Sequence, residues 1–134
     1  MNINLPPGGI LINLGCDVIE ISRIKGVTER HGQRFLDRVF TADELAYCLP
    51  NANIYQHLAV RFAAKEAISK CFTTGIGPEF GWRSASIVHG ERQEPIVLLD
   101  EKTQALVNAL GGTRVLISLS HSETVAMAVA ALVK

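Results

Sequence analysis

Four charged residues stand in a stretch that is otherwise almost wholly apolar. They are Arg61, Lys65, Glu66 and Lys70, set among Leu58, Val60, Phe62, Ala63, Ala64, Ala67 and Ile68. At about 100° per residue these apolar side chains leave almost no polar face, the pattern of a buried helix. Glu66 and Lys70 are spaced i, i+4 in the favourable order, worth a few tenths of a kcal/mol when exposed. Arg61 and Lys65 have the same spacing but like charge, which is unfavourable by a similar amount unless an anion lies between them. Any one of these residues alone reads as a solvated charge. All four on so apolar a helix point to a site that binds an anion and a cation side by side.

Asp17 is the second candidate. It follows a short β-prone run and has Glu20 three residues on. One reading makes it a helix N-cap with a capping-box partner, worth about 1 kcal/mol. The other pairs Asp17 with Glu66 around a hard cation, since Mg²⁺ is commonly held by one or two protein carboxylates with phosphate oxygens and water completing the octahedron. Residue types leave both readings open. The third candidate is Ile117-Ser-Leu-Ser-His121, where Ser118, Ser120 and His121 offer hydroxyls and an imidazole at a strand end. With no G-x-S-x-G elbow in the chain, a serine hydrolase gets little support.

The elements that must position these groups are legible in outline. Ile10–Leu14 reads as a strand ending at Gly15, and Asp17 to about Gln33 as a helix weakened by Gly26 and Gly32. Thr41–Glu44 opens a second helix with a capping-box signature, stopped by Pro50. A long Ala-rich helix runs from Ile54 to Phe72, closed by Gly75-Ile-Gly77-Pro78. Trp82–Val88 and Pro95–Leu99 read as strands around a polar turn, Asp100–Leu110 as a helix, and Arg114–Ser118 and Thr124–Val133 as a closing strand pair. The order predicts an α+β fold with a mainly antiparallel sheet and a long central helix. The 134 residues have the length of one domain.

Composition narrows the class further. An apolar fraction of 48% with 19% charged residues excludes a disordered chain. The longest apolar runs fall short of the roughly 20 residues that span a bilayer, so no membrane partner is expected. Met1–Gly9 has no positive residue and does not read as a secretory signal. Cys16, Cys48 and Cys71 lack any C-x-x-C pairing, which speaks against disulfides or zinc and for a reducing cytoplasm. Zero net charge gives no argument for nucleic acid. Yet the segment from Arg23 to Arg38 holds five basic residues against two acidic ones, a local patch that suits one acidic partner.

The run Gly15-Cys-Asp17-Val-Ile-Glu20-Ile-Ser-Arg23-Ile resembles the amino-terminal motif of holo-acyl-carrier-protein synthases. Arg61-Phe-Ala-Ala-Lys65-Glu66-Ala-Ile-Ser-Lys70, followed by Thr74-Gly-Ile-Gly77, is similar to that family's central signature, and Ile117–His121 to its carboxy-terminal motif. The three stand in the family's order from about Leu11 to Val133. The resemblance implies a 4′-phosphopantetheinyl transferase that uses coenzyme A and Mg²⁺, modifies a serine of apo acyl carrier protein, releases 3′,5′-ADP and supports fatty acid biosynthesis. It implies metal ligation by Asp17 and Glu66, with Lys70 at the pyrophosphate. Arg61, Lys65, His121 and Ser120 become candidates for the phosphates. The general base stays open among Glu66, another carboxylate and a water on the metal. Larger two-lobed relatives carry D-x-E, whereas the residue two after Asp17 here is Ile19. Single-domain members assemble as trimers with sites between subunits, so a homotrimer is expected. Acyl carrier proteins are acidic around their modified serine, and on one helix Arg23, Arg30 and Arg34 would share a stripe able to dock one.

Overall fold

The computed structural model describes residues 9–134. Most of the Met1–Gly9 lead therefore lies outside the described residues. The elements in order are β1 (Leu11–Glu20), α1 (Ile21–His31), α2 (Gln33–Val39), α3 (Ala42–Cys48) and α4 (Ile54–Phe72). There follow β2 (Ala85–His89), β3 (Pro95–Leu99), α5 (Glu101–Ala109), β4 (Arg114–His121) and β5 (Val125–Val133). The strands form two antiparallel sheets, one ordered β1-β5-β4 and the other the hairpin β2-β3. The expected α+β class and long central helix are both present.

Helix α4 is the axis of the molecule. Its 19 residues span about 28 Å at 1.5 Å per residue, and it lies against β1 and β5. The contact is built from small residues. Ala59, Ala63, Ala64 and Ala67 of α4, with Ala126, Ala128 and Ala130 of β5, are all completely buried. Small side chains let helix and sheet backbones approach closely. The closest approach is at Gly15, where a Cβ would run into the Ala67 carbonyl oxygen and come 2.9 Å from the Cys71 nitrogen. Glycine is required here by space. Side chains on a strand alternate with period 2, so Asp17 leaves β1 on the same face as Gly15, toward α4.

Strand β1 corrects the expected boundary. It does not stop at Gly15 but runs on to Glu20, because Gly15 through Glu20 pair residue by residue with Ala130 back to Val125. Helix α1 therefore starts at Ile21, and Glu20 at its cap makes no side-chain hydrogen bond. The capping reading of Asp17 is thereby removed. The helix passes through Gly26 but ends at Gly32, with φ 53°, and the chain resumes as α2. Strand β2 starts three residues later than expected. Ahead of it Gly81 and Ser84 close a turn, with Ser84 N donating to Gly81 O at 3.1 Å and Gly81 N to Ser84 Oγ at 3.0 Å. Strand β4 extends to His121, three residues past the expected end at Ser118. The left-handed residue closing α4 is Thr73 at φ 61°, ahead of the glycine turn.

Candidate active site

Asp17 of β1 and Glu66 of α4 face each other where Gly15 lets helix and strand meet. Burial raises the Glu66 carboxyl above the ordinary carboxylate range, and the neighbouring Asp17 charge raises it further; Lys70 and then Arg23 pull it back. Lys70, one turn beyond Glu66, donates to Asp17 Oδ1 at 3.2 Å and to the Cys16 carbonyl at 2.8 Å. Its side chain remains 53% exposed, so it can leave this partner for another anion. Two neighbouring carboxylates, with one exposed ammonium between them and solvent, are a donor set suited to a hard cation. Among the described residues no group of three or more His, Cys, Asp or Glu could hold a metal. A cation here would need phosphate or water oxygens beside the two carboxylates.

The phosphate candidates separate sharply. Lys65 is fully buried and points into the core. Its ammonium lies 2.8 Å from Glu44 Oε1 and donates to the carbonyls of Trp82 at 2.7 Å and Ala85 at 2.8 Å. Its three protons are thus already used. Glu44 is the capping-box residue of α3, accepting from Thr41 N at 2.8 Å, and its Oε2 accepts from Ile87 N at 2.9 Å. Burial pushes the Lys65 ammonium down, with Glu44 opposing. The expectation that Lys65 contacts a phosphate, with an anion shared between it and Arg61, is corrected. Lys65 instead ties α3 and the β2–β3 hairpin to α4.

Arg61 is the opposite case. Only 1% exposed, it donates from Nη1 to the His57 carbonyl at 3.1 Å and lies with Cζ 4.8 Å from the centre of the Tyr47 ring. Its Nε and Nη2 have no hydrogen-bond partner among the described residues. Arg61 lines a hollow of about 270 Å³ together with His57, His89, Ser118, Ser120 and His121. The structure therefore brings Arg61, Ser120 and His121 to one place. His57, His89 and Tyr47 escaped sequence reasoning, although His57 stands i−4 from Arg61 and so on the same helix face.

Of the arginines expected to dock a partner, Arg23 and Arg30 are exposed on α1 and Arg34 is exposed on α2. They do not form one helical stripe, because Gly32 breaks the helix between Arg30 and Arg34. Arg34 nevertheless shares a second hollow of about 290 Å³ with Val27, His31, Phe35 and Arg38. Burial raises the Cys48 and Cys71 thiols to about 11 each, which keeps both protonated and unreactive at neutral pH.

A sequence profile described as the 4′-phosphopantetheinyl transferase superfamily matches residues 13–130. The chain belongs to that superfamily. It is 42% identical over 120 residues to the holo-[acyl-carrier-protein] synthase of Chlamydia trachomatis serovar D, covering 90% of this chain and 98% of the relative. Among solved structures, the holo-[acyl-carrier-protein] synthase of Neisseria meningitidis superposes with a TM-score of 0.87 at 29% identity, over 93% of this chain and all of the other. The Helicobacter pylori holo-[acyl-carrier-protein] synthase, solved in complex with coenzyme A, gives 0.79 at 27% identity, over 89% and 98%. Within the superfamily this chain is an enzyme of the holo-[acyl-carrier-protein] synthase type.

Proposed function

We propose that this chain transfers 4′-phosphopantetheine from coenzyme A to a serine of apo acyl carrier protein and releases 3′,5′-ADP, assisted by Mg²⁺. One observation carries the reading: α4 presents Glu66 and Lys70 beside Asp17 of β1 on one side, and on another a buried guanidinium whose Nε and Nη2 have no partner among the described residues. Arg61 and Glu66 are five residues apart, hence about 7.5 Å along the helix axis and about 140° around it. A ligand with a pyrophosphate and a separate phosphate matches two such stations.

In the transfer, the serine oxygen forms a bond to the β-phosphorus, the bond from that phosphorus to the 3′,5′-ADP leaving group breaks, and the serine proton passes to a general base. Such chemistry needs positioning and charge neutralisation more than covalent help. Asp17 and Glu66 would hold the Mg²⁺, which when bound supplies charge neutralisation at the pyrophosphate. Lys70 is free to exchange Asp17 for a phosphate oxygen of substrate or leaving group. Arg61, Ser120 and His121 anchor the remaining phosphate. Arg23, Arg30 and Arg34 guide the acidic carrier to this edge.

Assembly as a homotrimer is part of the proposal. The face of the β1-β5-β4 sheet turned away from α4 exposes Leu14, Val18, Leu116, Met127 and Val129, and no described residue covers it. An apolar sheet face of this kind marks an interaction surface. No helix among the described residues is long and apolar enough to cross a membrane, and the three cysteines are free. Both features support work in the cytoplasm. The test is the intact mass of an apo acyl carrier protein after incubation with this chain, coenzyme A and Mg²⁺. A phosphopantetheine increment is expected. Unchanged mass while coenzyme A binds would make the chain a non-catalytic binding module.

A further inference from the structure

Neither the family motifs nor the transfer step uses His57 or His89, yet both line the Arg61 hollow. Each ring also touches Tyr47, with centroids 5.3 Å away for His57 and 4.3 Å for His89. Tyr47 thus packs against three nitrogenous groups at once, since the Arg61 guanidinium lies over the same ring. Arg61 aside, the groups facing the two imidazoles are Tyr47 from α3, His121 from β4 and the two histidines themselves. Cys48 of α3 lies on the Arg61 side and holds its proton. Of the three charged residues in the β2–β3 turn, Arg92 and Glu94 pair with each other at 3.9 Å, and Glu91 is exposed outside the hollow. No carboxylate offsets the Arg61 charge within the hollow.

The free donors of Arg61, Nε and Nη2, lie on one edge of the guanidinium, the fork that receives two oxygens of a single oxyanion. Leaving a guanidinium buried with two nitrogens unsatisfied carries an uncompensated desolvation penalty. A ligand dianion would recover that cost. We propose that His57 and His89 complete with Arg61 a pocket selective for a phosphate monoester, and that the two imidazoles take up protons as the dianion enters. The proposal rests on coenzyme A being the substrate and names the residues that recognise its monoester. Both imidazoles are held below their ordinary range, first by burial and then by the Arg61 charge. An entering dianion reverses the sign of the local field and favours their charged forms. A phosphate monoester, with its second pKa near about 6, is a dianion at neutral pH, whereas each phosphorus of a pyrophosphate diester carries one charge.

Calorimetry on the full-length chain tests this with coenzyme A and 3′-dephospho-coenzyme A, which lacks the monoester. Titrations at pH 7.5 in buffers of different ionisation enthalpy count protons where the ligand itself no longer titrates. Net proton uptake is expected with coenzyme A and none with the dephospho compound. Affinity for coenzyme A should be about tenfold tighter at pH 6.5 than at pH 8, one pK unit of linkage being tenfold in an equilibrium constant. His57→Gln combined with His89→Gln should abolish the uptake and most of the preference between the two ligands. Coenzyme A binding without proton uptake, or a double variant with unchanged preference, overturns the proposal and leaves the transferase reading intact. Failure of both ligands to bind overturns the two together. Where the double variant does not fold, the single variants His57→Gln and His89→Gln should each reduce the uptake, and an uptake unchanged in both assigns it to His121 and overturns the proposal.

Discussion

Two lysines stand on α4, each paired with a different carboxylate, and they have opposite fates. Lys65 pairs with Glu44 at 2.8 Å, both side chains wholly buried. Lys70 pairs with Asp17 at 3.2 Å, with side chains 53% and 20% exposed. The first pair is enclosed by further hydrogen bonds to Trp82, Ala85, Thr41 and Ile87, and no conformational freedom is left in it. The second stands at the mouth of the site, where water screens it and the ammonium can change partners. Burial separates a structural ion pair from a functional one, and helical spacing alone does not.

The largest expected effect tests the exposed side of this contrast. Asp17→Asn or Glu66→Gln should lower turnover by about 1,000-fold or more, since metal assistance supplies several kcal/mol and each 1.36 kcal/mol is tenfold in rate. Thermal stability should be unchanged or slightly higher, because removing either charge relieves its repulsion of the other. Near-normal transfer by either variant would falsify the metal assignment.

Next comes the buried side. Lys65→Ala strands the Glu44 carboxylate in the core and should cost about 3–5 kcal/mol of stability, read from urea unfolding. Lys70→Ala should cost under about 1 kcal/mol, as exposed pairs do, while slowing transfer. Equal stability losses for the two variants would erase the distinction between the pairs.

A smaller effect follows from pH. The Glu66 carboxyl is raised in the folded protein, so the metal-free fold binds this proton more tightly than the unfolded chain. Its stability should therefore fall as pH climbs from the ordinary carboxylate range through the raised value. Divalent affinity should run the other way, weakening as pH drops through the same window because the proton competes for the carboxylate. Calorimetric titration of Mg²⁺ between pH 5 and 8 reads the second trend directly. Flat affinity would detach Glu66 from the metal.

The smallest effects belong to the rim. Arg30→Glu should raise KM for the carrier severalfold, leave KM for coenzyme A nearly unchanged and flatten the salt dependence, as rim charges act mainly on association. The same reversals at Arg23 and Arg34 extend the test. If all three keep the wild-type carrier KM, the patch is only a solvated face and docking lies elsewhere.

The sequence by itself determined a long helix from about Ile54 to Phe72, the Thr41–Glu44 capping box and the existence of the closing strand pair, because each is written in local period and local side-chain chemistry. It also singled out Asp17, Glu66, Lys70, Arg61 and His121 as chemistry. Tertiary structure decided what local signals cannot carry. The β1–β5 ladder pulled Asp17 out of a helix cap and into a strand, since its backbone hydrogen bonds come from residues more than a hundred positions away. The packing of α3 and β2 on α4 turned Lys65 inward, since only Glu44 and two distant carbonyls can satisfy a buried ammonium there. The same packing gathered Tyr47, His57 and His89 around Arg61 from three separate elements. Spacing along one helix reports which side chains share a face; what that face meets is set by residues remote in the chain, and whether a buried charge finds its donors satisfied there, as Lys65 does and Arg61 does not, decides whether it holds the fold or awaits a ligand.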